Sequence, residues 1–111
     1  MDNVINMSNS IEKELETATT QIHIKIQKRN GRKSWTSIEG LDQLTLDKSE
    51  AEKDVFFENI ARFLKKKFNC GATIKRPEYT IQLNGDHREG IKEFLIKENI
   101  AIESQIKLHG F

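Results

Sequence analysis

The sequence predicts one α+β domain in which a five-stranded sheet carries two helices packed on one face, in the order β-β-α-β-β-α-β, behind a flexible N-terminal tail. Several short segments alternate apolar and polar residues with a period of two, and two longer segments repeat apolar residues at helical spacing. Residues 1–20 are polar without a sustained period, which is typical of a mobile tail. The remaining residues, 21–111, have the length of a single domain.

The first two strands are predicted to form a hairpin. Apolar side chains alternate with polar ones at Ile22, Ile24 and Ile26, and the alternation resumes over residues 34–40. Between these segments lies Asn30-Gly31, a pair that commonly forms the turn of a hairpin.

The register of this hairpin is predicted from its buried face. A two-residue loop, Asn30-Gly31, would place Ile38 on the wrong face, because side chains alternate between the two faces of a sheet. A three-residue loop over residues 29–31 instead places Ile38 opposite Ile22. We therefore expect a loop of odd length, with the side chain of Trp35 turned away from the buried isoleucines.

The longer helix is predicted from Ser49 to about Phe68, after a linker over residues 41–47. Ser49 and Glu52 have the spacing of a capping box, in which the serine caps the helix and the glutamate binds back to the cap. The apolar stripe at helical spacing comprises Phe57, Ile60, Ala61, Leu64 and Phe68. Gly71 is expected to end this helix.

The C-terminal part of the chain is predicted to supply three strands and the second helix. The strands are expected over residues 72–75, 79–83 and 102–108. The second helix is expected to begin with Asp86 as its N-cap and to stop at Asn99. Because each helix has one apolar face, the simplest arrangement packs both against one side of the sheet.

Composition excludes several classes of protein. The chain has one cysteine, Cys70, so neither an intramolecular disulfide nor a cysteine-cluster zinc site can form. No segment approaches the roughly 20 apolar residues of a membrane span, and the N-terminus lacks the basic and then apolar pattern of a signal peptide. A cytoplasmic or nuclear protein without a membrane partner is therefore expected, and the family resemblance described below favours the cytoplasm.

No pattern of catalytic or metal-ligating residues stands out. The histidines are His23, His87 and His109, and none has metal-ligand spacing to another histidine or to Cys70. Asp86-His87-Arg88 combines an acid, a base and a cation, but the helix start expected there accounts for these residues. A glycine-rich phosphate loop is absent from the sequence. We therefore expect a protein that is not an enzyme and that needs no cofactor and no metal.

Basic residues are concentrated in two blocks, although the net charge is only +1. The first block flanks Asn30 and Gly31 at the predicted hairpin tip and comprises Lys28, Arg29, Arg32 and Lys33. The second block, in the last turn of the first helix, comprises Lys65, Lys66 and Lys67. Each block is compatible with a solvated surface or with contact to phosphate groups. A projecting tip that needed only solubility would mix charges of both signs, so a tip with basic residues alone favours phosphate contact. A two-stranded tip with few aromatic residues favours RNA over DNA, because it suits recognition of shape and backbone.

Four sequence blocks, which together cover about residues 21–111, resemble the eukaryotic translation initiation factor 1 family with its suppressor-of-initiator-codon domain. The blocks are IHIKIQKRNGRKSWTSIEGLD from Ile22, KKKFNCGATI from Lys65, IQLNGDHREGIKEFL from Ile81 and IKLHGF from Ile106. One block would be a weak signal. The four blocks in the right order, with the RNGRK tip, the GD.R helix start and the terminal HGF, form a specific pattern.

The resemblance implies a translation initiation factor that binds the small ribosomal subunit, through ribosomal RNA, near the peptidyl site. It also implies a role in scanning and in opposing initiation at non-cognate codons, beside the initiator tRNA and other initiation factors. We expect a monomer off the ribosome. The positions that match the family's hairpin tip and helix end are Asn30, Gly31, Arg32, Lys33, Lys65, Lys66 and Lys67.

Four further residues are candidates for contacts that affect start-codon fidelity or bind other factors. Asp86 and Arg88 match the GD.R turn of the family, and His87 replaces the usual glutamine. Trp35 replaces a smaller apolar residue. It is expected either to cover the back of the sheet or to stack on a nucleotide or a factor side chain.

Two other functions are compatible with the sequence. One is an RNA-binding module of a reinitiation- or recycling-type relative that acts on the small ribosomal subunit. The other is an RNA-binding or protein-binding module outside initiation.

Overall fold

The computed structural model describes residues 20–28 and 33–110, so all but one residue of the predicted tail lies outside the described ranges. The elements are β1 (Ile22–Lys28), β2 (Ser34–Glu39), α1 (Glu50–Phe68), β3 (Ala72–Lys75), β4 (Thr80–Asn84), α2 (Arg88–Lys97) and β5 (Ile106–His109). This order confirms the predicted fold class. The linker predicted over residues 41–47 contains a 3-10 helix, Leu41–Thr45.

The five strands form one mixed sheet in the order β3-β4-β2-β1-β5. Strand β1 is antiparallel to β2 and parallel to β5, and β4 is antiparallel to both β2 and β3. Both helices pack on one face, and the fully buried apolar side chains there are Ile22, Ile24, Ile38, Ile81 and Leu83 of the sheet with Phe57, Leu64, Ile91 and Leu95 of the helices. The opposite face is mostly polar.

The β1–β2 register differs from the prediction by two residues. Ile38 lies opposite Ile24 instead of Ile22, so residues 29–33 separate the paired strands and the predicted three-residue loop is wrong. The odd number of connecting residues is confirmed. A shift by two residues keeps every side chain on the same face, and the alternation therefore cannot distinguish the two registers. Residues 29–32 lie outside the described ranges.

Helix α1 has the predicted extent, but its C-terminal cap differs from the prediction. The Ser49 hydroxyl accepts a hydrogen bond from the Glu52 N–H at 3.3 Å, and the Glu52 carboxylate accepts one from the Ser49 N–H at 3.2 Å. The cap at the other end is Asn69, with φ 50°, and not Gly71. Asparagine tolerates this left-handed conformation better than most residues with a side chain.

Strand β5 is shorter than predicted because a turn precedes it. Residues 103–105 form a 3-10 turn. The side-chain oxygen of the buried Gln105 accepts a hydrogen bond from the Ile102 N–H at 2.9 Å. Strand pairing with β1 then starts at Ile106.

Candidate RNA-binding surface

One end of the sheet brings together the base of the hairpin, the end of α1 and the start of α2. Strand β1 ends there at Lys28, and β2 begins at Ser34. The Gly85 N–H donates to the Ser34 carbonyl at 2.9 Å, and the Asn84 N–H donates to the Gly71 carbonyl at 3.1 Å. These bonds join β2, β4 and the segment that follows α1. We call this part of the molecule the basic end, and its exposed cations are Lys28, Lys33, Arg62, Lys65 and Lys66.

The last turns of α1 divide the predicted lysine run between two sides of the helix. A concavity of about 570 Å³ is lined by Arg62, Lys65, Lys66, Asn69, Cys70 and Gly71. Lys67 does not line it. At about 100° per residue, Arg62, Lys65 and Lys66 lie within an arc of about 100° around the helix axis, whereas Lys67 lies about 140° from Arg62. At helical spacing, Lys67 lies over Phe63 instead. The structure thus groups Lys65 and Lys66 with each other but not with Lys67.

Arg62 is a member of the basic end that the sequence prediction missed. It precedes Lys65 and Lys66 by three and four residues, which places the three side chains on neighbouring positions of the helix surface. This spacing was visible in the sequence. The lysine run alone does not show this grouping, because residues three and four apart are the neighbours on a helix surface.

The cations at the end of α1 have more than one effect. They offset the negative end of the helix dipole, so their presence alone does not identify a binding site. Within residues 20–28 and 33–110, however, no carboxylate forms an ion pair with Arg62, Lys65 or Lys66. By contrast, Arg76 on the nearby β3–β4 turn pairs with Asp54 at 3.1 Å. The charge of the three α1 cations is therefore available to a partner.

The hairpin tip is described only at its base. Lys28 and Lys33 are exposed at the ends of the two strands. The other predicted RNA-binding residues of the tip, Arg29, Asn30, Gly31 and Arg32, lie outside the described residues.

Trp35 lies on the face of the sheet away from the helices, as predicted. Its neighbours across the strands are Gln27 on β1 and Asn84 on β4. The half-buried indole donates its N–H to the Gln27 side-chain oxygen. This position, one residue from the hairpin base, is compatible with both predicted roles of Trp35.

Asp86 and Arg88 form a bracket between α2 and β5. Two nitrogens of the Arg88 guanidinium donate to the Asp86 carboxylate at 2.9 and 2.8 Å, and a third donates to the His109 carbonyl at 3.1 Å. These hydrogen bonds hold the pKa of Asp86 below its usual range. The prediction of Asp86 as N-cap is wrong, because α2 begins at Arg88 and the capping position is His87. The Asp86 carboxylate also accepts a hydrogen bond from the backbone N–H of Arg88 at 3.4 Å, so it still binds the first turn of α2 from one position before the cap.

His87 is half-buried, and contacts from two elements hold it. Its ring stacks on the ring of Phe68 with centroids 4.7 Å apart. The backbone N–H of His87 donates to the hydroxyl of the buried Thr36 at 3.0 Å, and that hydroxyl donates to the Gly85 carbonyl at 2.7 Å. Thr36 therefore connects the central strand to the start of α2. Its partners lie about 50 positions away in sequence, and no local signal could have identified this role.

We looked for side chains that could bind a metal ion in the described part of the chain and found no such group. Across residues 20–28 and 33–110, no three histidine, cysteine or carboxylate side chains are grouped to hold a metal ion. Cys70 packs against the core, and partial burial raises the pKa of its thiol. None of the helices in these two ranges has the length and apolar character to cross a membrane.

Comparisons with known proteins agree on one family. A family model described as translation initiation factor SUI1 matches residues 18–101. The chain is 44% identical to eukaryotic translation initiation factor eIF1 of Drosophila melanogaster, over 81% of this chain and 76% of the relative. It is 42% identical to eukaryotic translation initiation factor 1 of Homo sapiens, over 81% and 74% of the two chains. Among solved structures, the C-terminal domain of human eIF2D superposes with a TM-score of 0.62 at 17% identity. That match covers 78% of this chain and 41% of the other, and it shows a shared fold only.

Proposed function

The chain belongs to the SUI1 family of translation initiation factors, and from this we propose that it binds the small ribosomal subunit near the peptidyl site and enforces start-codon selection. In this proposal the bound factor promotes scanning and opposes initiation at non-cognate codons. Its partners are ribosomal RNA, the nearby initiator tRNA complex and other initiation factors. Relatives named initiation factor 1 at 42–44% identity favour this role over that of a reinitiation- or recycling-type relative.

The basic end is the observation that carries the proposal. Topology brings Lys28 and Lys33 at the hairpin base to the same end of the sheet as the cations of α1. Exposed lysine and arginine side chains position a protein on RNA through phosphate contacts, which carry little sequence information. A factor that must bind one fixed place on a large RNA therefore depends on the arrangement of its cations. We propose that the concavity of α1 contacts ribosomal RNA and that the tip, residues 29–32, points to the decoding region.

Discrimination between codons follows from competition. A bound factor shifts a conformational equilibrium only by the difference between its affinities for the two states. If correct codon pairing lets the initiator tRNA occupy space that the factor needs, the factor dissociates and initiation proceeds. An affinity that depends mainly on exposed charges suits such a factor, because it gives attachment without a large buried interface.

The bracket around Asp86 and Arg88 is proposed to act by positioning. Asp86, His87 and Arg88 fix the start of α2 against β2 and β5 at the basic end. Their substitution would displace the surface that faces the RNA. This accounts for a fidelity role without a requirement that the Asp86 carboxylate itself contact a partner.

The double substitution Arg32→Ala with Lys33→Ala tests the proposal. Binding of the full chain to purified small subunits is measured over a salt series. We expect weaker binding and a slope of log affinity against log salt that is smaller by about 1.6, for two lost phosphate contacts. A reporter that compares AUG with near-cognate start codons should then show more initiation at the near-cognate codons. Unchanged binding, slope and codon choice would refute the assignment of the tip.

A further inference from the structure

The far end of α1 carries a second concave surface that the proposed function does not use. This concavity of about 410 Å³ is lined by Lys48, Ala51, Glu52, Val55 and Phe56, and we call it the α1 groove. It lies near the N-terminus of α1, whereas the cations of the basic end lie near the C-terminus. A helix of 19 residues is roughly 28 Å long. Phe56, the groove residue nearest to the basic end, precedes Arg62 by six residues, which is about 9 Å along the helix axis. The groove and the concavity of the basic end share no lining residue.

The apolar side chains at this end are exposed beyond what folding requires. Leu46 is 80% exposed and Val55 is 56% exposed, which are the two largest values among the large apolar residues in the described ranges. The residues of α1 that pack on the sheet are Phe57, Ile60, Ala61 and Leu64. Val55 lies about 200° around the helix from Phe57, on the solvent side. Ala51 and Val55 are four residues apart and so form a continuous small apolar stripe along the groove.

Carboxylates flank the exposed Val55 on both sides. Glu52 precedes it by three residues and lines the groove, and the exposed Glu58 follows it by three residues. Hydrogen bonds from Ser49 hold the pKa of Glu52 below its usual range, so this carboxylate is ionised at neutral pH. Glu58 lies 3.8 Å from the Arg76 guanidinium, and both side chains of this pair are about half exposed to solvent. Such an exposed pair is weak. Glu58 does not line the groove itself but a neighbouring concavity that Arg62 and Arg76 also line, so its carboxylate lies at the margin of the groove.

The wider surroundings of the groove are acidic as well. In residues 41–60, acidic side chains outnumber basic ones. The cation that lines the groove, Lys48, lies over the ring of Phe56 with its nitrogen 5.9 Å from the ring centroid. An acidic, partly apolar surface repels phosphate backbones. It also disfavours the chain's own residues 1–20, which carry more acidic than basic side chains.

We propose that the α1 groove binds a basic segment of a protein partner. Apolar side chains of the segment pack beside Ala51 and Val55, and flanking lysine or arginine side chains face Glu52 and Glu58. Because the groove and the concavity of the basic end share no lining residue, the protein can hold RNA and this segment at the same time. The proposal stands independently of the ribosomal role, since it rests on exposure and charge at the acidic end alone.

Two synthetic peptides with identical leucine positions test the proposal, one with lysine and one with glutamate at the intervening positions. Each is titrated into the full chain and followed by amide chemical shifts. We expect the lysine peptide to saturate and to shift the amides of Ala51, Glu52 and Val55, and the glutamate peptide to leave them unchanged. Val55→Lys should weaken binding of the lysine peptide about tenfold or more. Ile102→Lys, at a position that is 53% exposed, is the matched control and should change it less than about twofold.

Several results would overturn the proposal. They are equal effects of Val55→Lys and Ile102→Lys, binding of the glutamate peptide, or shifts spread evenly over all acidic residues. Concentration-dependent self-association that Val55→Lys abolishes would identify a second copy as the occupant instead. Val55→Ser removes the apolar contact without adding charge and should also weaken binding of the lysine peptide. It replaces Val55→Lys in the test if the introduced lysine disturbs the helix. Small-subunit binding of Val55→Lys should equal that of the unmodified chain, so failure of the groove is distinguishable from failure of the basic end.

Discussion

Replacing Lys66 with glutamine should weaken binding to small ribosomal subunits, whereas the same change at Lys67 should have much less effect. The two lysines are adjacent, equally charged and exposed in the last turn of α1. Only Lys66 lines the concavity with Arg62 and Lys65. Loss of a cation near a helix C-terminus costs about 0.3–1 kcal/mol at either position, so the two variants are matched in their effect on stability.

The size of the effect follows from the number of phosphate contacts. Each contact contributes about 0.8 to the slope of log affinity against log salt, so one lost contact changes the salt sensitivity between about 50 and 200 mM by roughly threefold. Simultaneous substitution of Arg62, Lys65 and Lys66 by glutamine removes up to three contacts. The corresponding change in salt sensitivity is roughly 30-fold.

Sedimentation of each variant with purified small subunits over a salt series measures these slopes. Circular dichroism of the free variants tests whether each variant retains its fold. Equal loss of binding for Lys66→Gln and Lys67→Gln would show that the partner does not distinguish the two sides of the helix. An unchanged slope for the triple variant would show that the concavity is not in contact with phosphate. Either result refutes the assignment of this surface.

Three further outcomes are expected. Gly40→Ala should lower the free energy of unfolding by about 2–4 kcal/mol in urea denaturation, because Gly40 has φ 98° and a Cβ there would lie 2.2 Å from a backbone carbonyl oxygen of residue 21. Gly71→Ala, where the nearest atom belongs to an exposed side chain, should cost much less. The Asp54 carboxylate accepts a hydrogen bond from the Tyr79 hydroxyl at 2.9 Å and raises the pKa of that phenol. Asp54→Asn should therefore lower the tyrosine pKa toward about 10 in an absorbance titration of the single tyrosine. If Trp35 stacks on a nucleotide, its fluorescence should change when subunits are added, and no change would favour the role of covering the sheet.

Most of the fold could be predicted because its signals are local. Alternation placed the strands, the pair Ser49 and Glu52 marked the start of α1, and the apolar stripe gave the face that packs on the sheet. The exact β1–β2 pairing could not be obtained this way. Ile38 buries its side chain equally well opposite Ile22 or Ile24, so the register depends on the whole sheet and not on the hairpin alone.

The candidate site was less predictable because it depends on distant contacts. The sequence identified the exposed cations, since charge needs no tertiary partner to be recognised. It did not reveal that Arg88 reaches the carbonyl of His109 or that Thr36 binds the backbone at His87. These contacts join residues that only the folded sheet brings together. Because of these contacts, the Asp86-His87-Arg88 motif, which the sequence suggested as a binding motif, is bonded to other parts of the domain.

Helix α1 explains how segregation of charge along the sequence becomes segregation in space. Its first half is acidic and its last turns are basic, an order that also suits the helix dipole. The sign of the charge therefore changes along α1, from its N-terminal half to its last turns. A net charge of +1 conceals this asymmetry. At distances near the Debye length of about 8 Å, an approaching RNA experiences the local charge and not the total. If the domain binds RNA as proposed, this asymmetry would orient it before contact, with the basic end toward phosphate and the α1 groove toward solvent.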